Sequence, residues 1–182
     1  MLPYFALIAA GLAGGPLLSG RPEYRRKFLL AFGLACWLLA SLRYVTGFDY
    51  RSYEAAFQRI AARGLSCLTA REPGYVLLNW AAALLGGNYR TFLFLIHLLF
   101  TVLVLLWIGR YSSMPWLSVY LFVTLQYFAM SMNLLRQSTA AAIVLWTYPF
   151  LRQRRFLPFC GVVLLAFCFH QSALFMLPFY FL

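Results

Sequence analysis

The chain has 182 residues, of which 64% are hydrophobic and only 10% are charged. A soluble domain carries about 25% charged residues, so this composition excludes an ordinary soluble domain and predicts an integral membrane protein. Fifteen basic residues against four acidic ones give a formal net charge of +11. Because the basic residues are divided among short segments between apolar runs, they indicate contact with anionic headgroups or pyrophosphate-type ligands and not with nucleic acid.

Long apolar runs predict an all-α fold, a polytopic transmembrane bundle of about six spans. The runs cover residues 2–18, 28–45, 92–108, 116–130, 134–151 and 156–182. No basic segment precedes the first run and no clear cleavage site follows it, which favours an uncleaved span over a signal peptide. The last run is still apolar at Leu182, so we expect a single transmembrane domain over 1–182 that is the N-terminal part of a longer protein.

Residues 46–91 form a polar interruption that we interpret as an outer loop with two short helices. Asp49 is expected to N-cap a helix from Tyr50 to Arg63, which Gly64 ends. The run 73–85 is too short to cross a membrane and predicts an interfacial or re-entrant helix. The first helix has an apolar stripe typical of an amphipathic helix lying on the membrane surface: Tyr50, Tyr53, Phe57, Ile60 and Ala61.

Short basic segments set the orientation, because positively charged loops remain in the cytoplasm. If residues 73–85 do not cross, an even number of crossings separates segment 21–27 from segment 152–155. Both segments and Arg110 then face the cytoplasm, and 46–91 faces outward. The sequence therefore predicts a polar site that opens away from the cytoplasm.

Asn133, Arg136 and Gln137 interrupt two apolar runs, and on a continuous helix they would share one face. An ionisable group at a bilayer centre costs at least ~2.5 kcal/mol, so it marks a functional site by default. The guanidinium and amide donors suit an anionic or hydroxyl-rich ligand. The alternative is a helix end whose arginine extends to phosphate headgroups.

Two polar motifs precede this cluster. In Gly47-x-Asp49-x-x-x-Tyr53, Asp49 is either an N-cap or a carboxylate directed at a substrate. In Glu72-x-Gly74-Tyr75-x-x-Leu78-Asn79, Glu72 would lie at the positive end of a helix that begins at Pro73, a role that is structural by itself.

A last polar motif, Phe169-His170-x-Ser172-Ala173, lies within the final apolar run, where a histidine can also serve as a hydrogen bonder between helices. His97 is the only other histidine and stands apart from it. The cysteines show no metal-ligand spacing: Cys36, Cys67, Cys160 and Cys168. The sequence therefore predicts neither a metal nor a cofactor.

Together with Asn133-x-x-Arg136-Gln137-x-x-Ala140, these three motifs occur in an order that resembles the EpsG family of bacterial exopolysaccharide polymerases, which are similar to the Wzy O-antigen polymerases. The resemblance runs from Val45 to Pro178 and corresponds to the N-terminal half of a family member. It implies metal-independent glycosyl transfer at the outer face of the bacterial inner membrane, in exopolysaccharide, O-antigen or biofilm biosynthesis.

The resemblance also implies partners and residue roles. The substrate would be a polyprenyl-diphosphate-linked oligosaccharide, and further partners would be membrane lipids and the proteins of polysaccharide export and chain-length control. Arg71 and Arg136 would bind the diphosphate. The candidates for accepting the proton of the acceptor hydroxyl are Asp49, Glu72 and His170. The candidates for sugar hydroxyls are Asn79, Asn133 and Gln137.

Two other classes of protein remain open at this point. A membrane acyltransferase that modifies surface polysaccharide would use His170 as its base. A lipid-linked glycan transporter would need polar groups in both halves of the membrane, and the inner half has few.

Overall fold

A computed structural model describes residues 2–18, 21–45, 47–69 and 72–182, and within these ranges every regular element is helical. The all-α prediction is therefore confirmed for the described residues. The α-helices are α1 (Leu2–Leu18), α2 (Pro22–Ser41), α3 (Tyr50–Arg63), α4 (Pro73–Leu84), α5 (Tyr89–Tyr111), α6 (Pro115–Thr124), α7 (Tyr127–Asn133), α8 (Leu135–Val144), α9 (Tyr148–Arg152) and α10 (Phe156–Phe167). Three 3₁₀ segments are Gly64–Thr69, Leu145–Thr147 and Gln171–Tyr180.

The longest helix, α5, has 23 residues and measures about 35 Å at a rise of about 1.5 Å per residue. That length exceeds the ~30 Å hydrocarbon core of a bilayer. In the described part of the chain, α5 is the one helix that is both long and apolar enough to cross a membrane. Shorter apolar helices lie at Tyr4–Gly15, Pro115–Thr124 and Phe156–Phe167.

Helix α2 packs antiparallel to α5, as contacts near both ends show. Arg25 Nη2 donates to the carbonyl of Gly109 at 2.6 Å, and Trp37 Nε1 donates to the carbonyl of Phe94 at 2.9 Å. Because α2 begins at Pro22, the predicted basic loop 21–27 is largely the first turns of this helix. The first basic segment thus lies beside the C-terminal end of α5.

The other two basic segments lie at this same end of the bundle. Arg110 belongs to the last turn of α5. The rings of Tyr111 and Tyr148 are 5.2 Å apart, so segment 152–155 also lies near the end of α5. The grouping of the three basic segments on one side therefore agrees with the fold.

Helix α3 spans Tyr50–Arg63 as predicted and ends at Gly64, whose φ of +59° favours glycine. Its buried residues are Tyr50, Tyr53, Phe57 and Ile60, and this face packs against Tyr75, Tyr89 and Phe92. Ala61 is exposed, so the stripe is narrower than predicted. The apolar face of α3 is thus covered by α4 and α5.

Two predicted spans are not single helices. Gln126, with φ +64°, separates α6 from α7 inside the predicted span 116–130, and the 3₁₀ turn Leu145–Thr147 separates α8 from α9 inside the predicted span 134–151. A second break, at Leu134, separates α7 from α8. The flanking side chains explain the second break: Phe128 is buried with α1, α2 and α5, whereas Leu135 is buried with α3, α4 and α5. Because the break falls between Asn133 and Arg136, the prediction that they share one helix face is wrong.

The last apolar run, predicted as one span over 156–182, is a hairpin. Helix α10 ends at Phe167, His170 is extended, and the 3₁₀ segment Gln171–Tyr180 returns. The ring of Tyr180 lies 5.0 Å from that of Phe156, at the start of α10. Residues 168–170 are therefore the tip of a hairpin whose legs are each about 18–20 Å long.

Candidate functional site

The motif that contains Gly47 and the motif that contains Asn133 meet where these two residues approach each other. Gly47 has a φ of +100°, a conformation that side chains rarely adopt. A Cβ built on Gly47 would lie 2.1 Å from the Oδ1 atom of Asn133. The backbone conformation favours glycine, and a side chain at this position would displace the Asn133 amide.

The motif that contains Gly74 and the motif that contains His170 meet where Gly74 contacts the tip of the hairpin. The Gly74 N–H donates to the carbonyl of Cys168 at 2.8 Å. A Cβ built on Gly74 would lie 3.0 Å from that carbonyl oxygen and 3.0 Å from the ring of Phe169. Because glycine has no side chain, the start of α4 can pack closely against the hairpin tip.

An ion pair between Glu72 and Arg136 connects the motif around Gly74 to the motif around Asn133. Nη1 of Arg136 donates to Oε2 of Glu72. Glu72 occupies the N-cap position of α4, ahead of Pro73, without a capping hydrogen bond from its side chain. As predicted, it lies at the positive end of that helix. The Glu72 side chain is 11% exposed and that of Arg136 is 43% exposed, so the arginine is the more open partner.

Two tyrosine rings hold the guanidinium of Arg136. The guanidinium carbon lies 5.8 Å from the ring centroid of Tyr53 and 5.7 Å from that of Tyr75, within the range of cation–π attraction. Burial raises the pKa of Tyr53, and the nearby Arg136 opposes that rise. The Tyr53 hydroxyl therefore stays protonated and can act as a donor beside Arg136.

His170, at the hairpin tip, faces Glu72 with one ring nitrogen and Ser172 with the other. The Ser172 N–H donates to Nδ1 of His170 at 3.2 Å, and the Ser172 hydroxyl lies 2.8 Å from the same atom. Because Nδ1 accepts a hydrogen bond, the proton of the neutral ring lies on Nε2. Nε2 is 3.9 Å from Oε1 of Glu72.

These residues open onto a cleft of about 450 Å³, within the usual range for small-molecule sites. Three predicted site residues line it: Glu72, Arg136 and His170. The other lining residues are Ala56, Arg59, Ile60, Arg63, Cys67, Tyr75, Val76 and Gln171. Three arginines against one carboxylate make the cleft electropositive.

Four other predicted site residues lie in the described ranges, and none of these four lines the cleft. Asp49 is exposed at the N-cap position of α3, and its side chain makes no capping hydrogen bond. Asn79 is fully buried and donates to the carbonyl of Tyr75 at 2.8 Å. Asn133 is directed at Gly47, as described above, and Gln137 is exposed. Arg71 lies outside the described residues.

Arg59 and Arg63 were missed as site residues. On an amphipathic helix, charged residues off the apolar stripe are normally interpreted as a solvated face. Their i, i+4 spacing places both on one side of α3. This spacing is the sequence feature that indicates a paired cationic site. The ion pairs found in the described part of the chain both involve Glu72, so neither arginine is neutralised by a carboxylate there.

In the described residues, an all-helical fold with one long apolar helix carries an arginine-rich cleft at one end. Among the described residues, no three histidine, cysteine, aspartate or glutamate side chains are grouped to hold a metal ion. The chain belongs to the EpsG family, whose sequence model matches residues 26–182. No curated protein and no solved structure matches the chain. Membership indicates a polysaccharide-polymerase type of function and membrane association.

Proposed function

We propose that this protein polymerises polyprenyl-diphosphate-linked oligosaccharide units by glycosyl transfer at the extracytoplasmic face of the bacterial inner membrane. The observation that carries the proposal is the convergence of Glu72, Arg136 and His170 with Arg59 and Arg63 in one cleft. A diphosphate leaving group needs positive charge, and arginines supply it through bidentate hydrogen bonds without a metal.

The fold supports an outward-facing site in a multi-pass protein. With the three basic segments in the cytoplasm, α10 rises from residue 156 toward the hairpin tip over about 18 Å. This distance exceeds half of the ~30 Å hydrocarbon core. The cleft then lies in the outer half of the membrane and opens away from the cytoplasm.

Three guanidinium groups bind the diphosphate together. Arg136 already donates to Glu72 and is fixed by two tyrosine rings, so its remaining donors are held in a defined direction. Arg59 and Arg63 have no carboxylate partner in the described ranges and provide the excess charge. Such donors stabilise the negative charge that develops on the departing diphosphate.

Glu72 is the proton acceptor in this proposal. The acceptor hydroxyl oxygen bonds to the anomeric carbon, and the bond from that carbon to the diphosphate oxygen breaks. The diphosphate leaves with the electron pair, and the hydroxyl proton passes to Glu72. His170 positions the carboxylate, because its Nε2–H faces Oε1 and its Nδ1 lone pair is already engaged by Ser172.

The same geometry speaks against the two alternatives. An acyltransferase that used His170 as base would need a free imidazole lone pair, which Ser172 occupies. A transporter would need polar groups along the whole path, whereas the four motifs meet at one end of the bundle. The geometry of the cleft therefore favours a polymerase over an acyltransferase or a transporter.

Disruption of the intact gene, followed by complementation, tests this function. We expect loss of long surface polysaccharide and accumulation of lipid-linked single units on the outer face. Normal polymer that lacks acyl groups would instead support the acyltransferase. Single units trapped on the cytoplasmic face would support the transporter.

Cysteine labelling tests the orientation separately. In a background without native cysteines, Arg51→Cys should react with a membrane-impermeant maleimide in intact spheroplasts. Arg152→Cys should react only after permeabilisation. The reverse pattern would place the cleft on the cytoplasmic side and overturn the outward-facing site.

A further inference from the structure

A second cleft, of about 720 Å³, lies among α5, residues 143–155 and α10, and its Phe169 end reaches the hairpin tip. Arg110 and Arg155 line the end beside the basic segments, and Leu99 and Phe169 lie toward the other end. The remaining lining is largely apolar or aromatic and includes Leu103, Tyr111, Ile143, Trp146 and Val162. The cleft is thus a groove with cationic groups at one end and apolar walls along its length.

The two arginines at the mouth of this groove are available for an anionic ligand. The four acidic residues of the chain are Glu23, Asp49, Glu54 and Glu72, and none of them lines the groove. The guanidinium carbon of Arg110 lies 5.7 Å from the ring centroid of Tyr111, which helps to hold it near the groove. Neither arginine belongs to an ion pair in the described ranges.

The length of the groove identifies the apolar part of its ligand. The segment of α5 from Leu99 to Arg110 measures about 16 Å. One leaflet of a bilayer contributes about half of the ~30 Å hydrocarbon core, so the groove has the length of one leaflet. A polyprenyl chain is a poorer fit, because it is several times longer than the chain of one leaflet lipid.

We propose that this groove binds one anionic phospholipid, with its phosphate between Arg110 and Arg155 and an acyl chain along α5 and α10. Arginine binds phosphate oxygens through paired donors, and Leu103, Ile143 and Val162 cover the chain. That the lipid belongs to the cytoplasmic leaflet rests on the orientation given under the proposed function. The binding itself does not depend on that function.

Trp146 provides a local probe, because it lines the groove while its Nε1 donates to the carbonyl of Leu103 at 3.3 Å. The full-length protein is titrated, in mixed micelles, with phosphatidylglycerol that carries brominated acyl chains, which quench tryptophan on contact. The contribution of Trp146 is the difference between wild type and Trp146→Phe. We expect its quenching at a several-fold lower mole fraction of phosphatidylglycerol than of brominated phosphatidylcholine, and relief by unlabelled phosphatidylglycerol.

The double variant Arg110→Gln/Arg155→Gln should lose this preference, whereas Arg152→Gln should keep it. Arg152 belongs to the same basic segment as Arg155 but does not line the groove. Equal quenching by the two lipids in wild type would overturn the proposal without reference to any variant. So would an unchanged preference in the double variant. The assay contains no oligosaccharide, so its failure is distinct from failure of the proposed polymerase.

Discussion

The guanidinium of Arg136 donates a hydrogen bond to the carboxylate of Glu72, which lies 64 positions earlier in the chain. This hydrogen bond joins the start of α4 to the start of α8, next to the break at Leu134. The Glu72 side chain is mostly buried, so removal of Arg136 would leave a carboxylate with little solvent and no fixed cation. The pair therefore holds the site together as well as taking part in it.

Glu72 and Arg136 should be energetically coupled. We expect Glu72→Gln and Arg136→Gln each to lower the free energy of unfolding by about 1–3 kcal/mol. The double variant should show a coupling energy of about 0.5–3 kcal/mol. The measurement is denaturant unfolding in mild detergent. Glu54 does not line the cleft, so Glu54→Gln with Arg136→Gln is the control and should be additive. Additivity for the first pair would contradict a direct interaction between Glu72 and Arg136.

Gly74→Ala should disturb the junction between α4 and the hairpin tip. The new Cβ would meet the Cys168 carbonyl and the Phe169 ring at 3.0 Å. Overpacking of this kind costs about 1–3 kcal/mol. The measurement is the thermal unfolding midpoint in detergent, together with polymer length in cells.

Gly161→Ala is the matched control for Gly74→Ala. A Cβ at Gly161 meets no atom within 4 Å, and alanine is about 1 kcal/mol more favourable than glycine within a helix. We therefore expect unchanged or raised stability there. An equally harmless Gly74→Ala would show that the close approach at Gly74 is not required.

Arg59 and Arg63 should govern the binding of the diphosphate more than the fold. Each arginine is expected to donate to the diphosphate, and a hydrogen bond to a charged group is worth about 1.5–3 kcal/mol. The double variant Arg59→Gln/Arg63→Gln should therefore raise KM for lipid-linked substrate by about tenfold to a hundredfold for each arginine replaced. Arg51→Gln, on the same helix but outside the cleft, should leave KM unchanged. Equal KM values for the two variants would remove α3 from the substrate site.

His170 should act as a positioning residue. His170→Asn keeps an acceptor near the position of Nδ1 and should retain stability, whereas His170→Gln removes the acceptor of the Ser172 N–H and should lower stability. Both variants should slow elongation by about tenfold without changing the shape of its pH profile. Loss of a general base costs about 10²–10⁴. A loss of that size in both, with an altered pH profile, would identify His170 as the base.

The sequence predicts helices α3 and α4 well, because local signals define them. Helix α3 has a 3.6-residue apolar period and a glycine at its end, and Pro73 fixes the first turn of α4. The breaks at Gln126 and His170 lie inside apolar runs, where hydropathy does not distinguish a bent chain from a straight one. The break at Leu134 lies where two runs meet. Tertiary packing decides these positions, since the side chains on either side of Leu134 enter different clusters.

The contrast between local sequence signals and tertiary packing also explains which site residues could be predicted. Arg136 and His170 stood out because charged or polar groups within apolar runs are costly. Glu72 stood out because it precedes the helix that begins at Pro73. Asn79 also lies within an apolar run, but it is fully buried and its amide nitrogen donates to the Tyr75 carbonyl of its own helix. Arg59 and Arg63 belong to a polar face, and only the placement of α3 beside Glu72 brings them to the cleft. Which polar group faces the cleft is therefore a tertiary property.

The central claim is that Glu72 and Arg136 form the site of glycosyl transfer. Its most direct test is elongation of lipid-linked units by the purified intact protein, with glycan length and released polyprenyl diphosphate measured together. We predict one released diphosphate lipid per bond formed in wild type. Glu72→Gln and Arg136→Lys should lower the rate at least about a hundredfold, because lysine lacks the two-pronged donor geometry. Near-normal elongation by both variants at equal protein level would contradict the account.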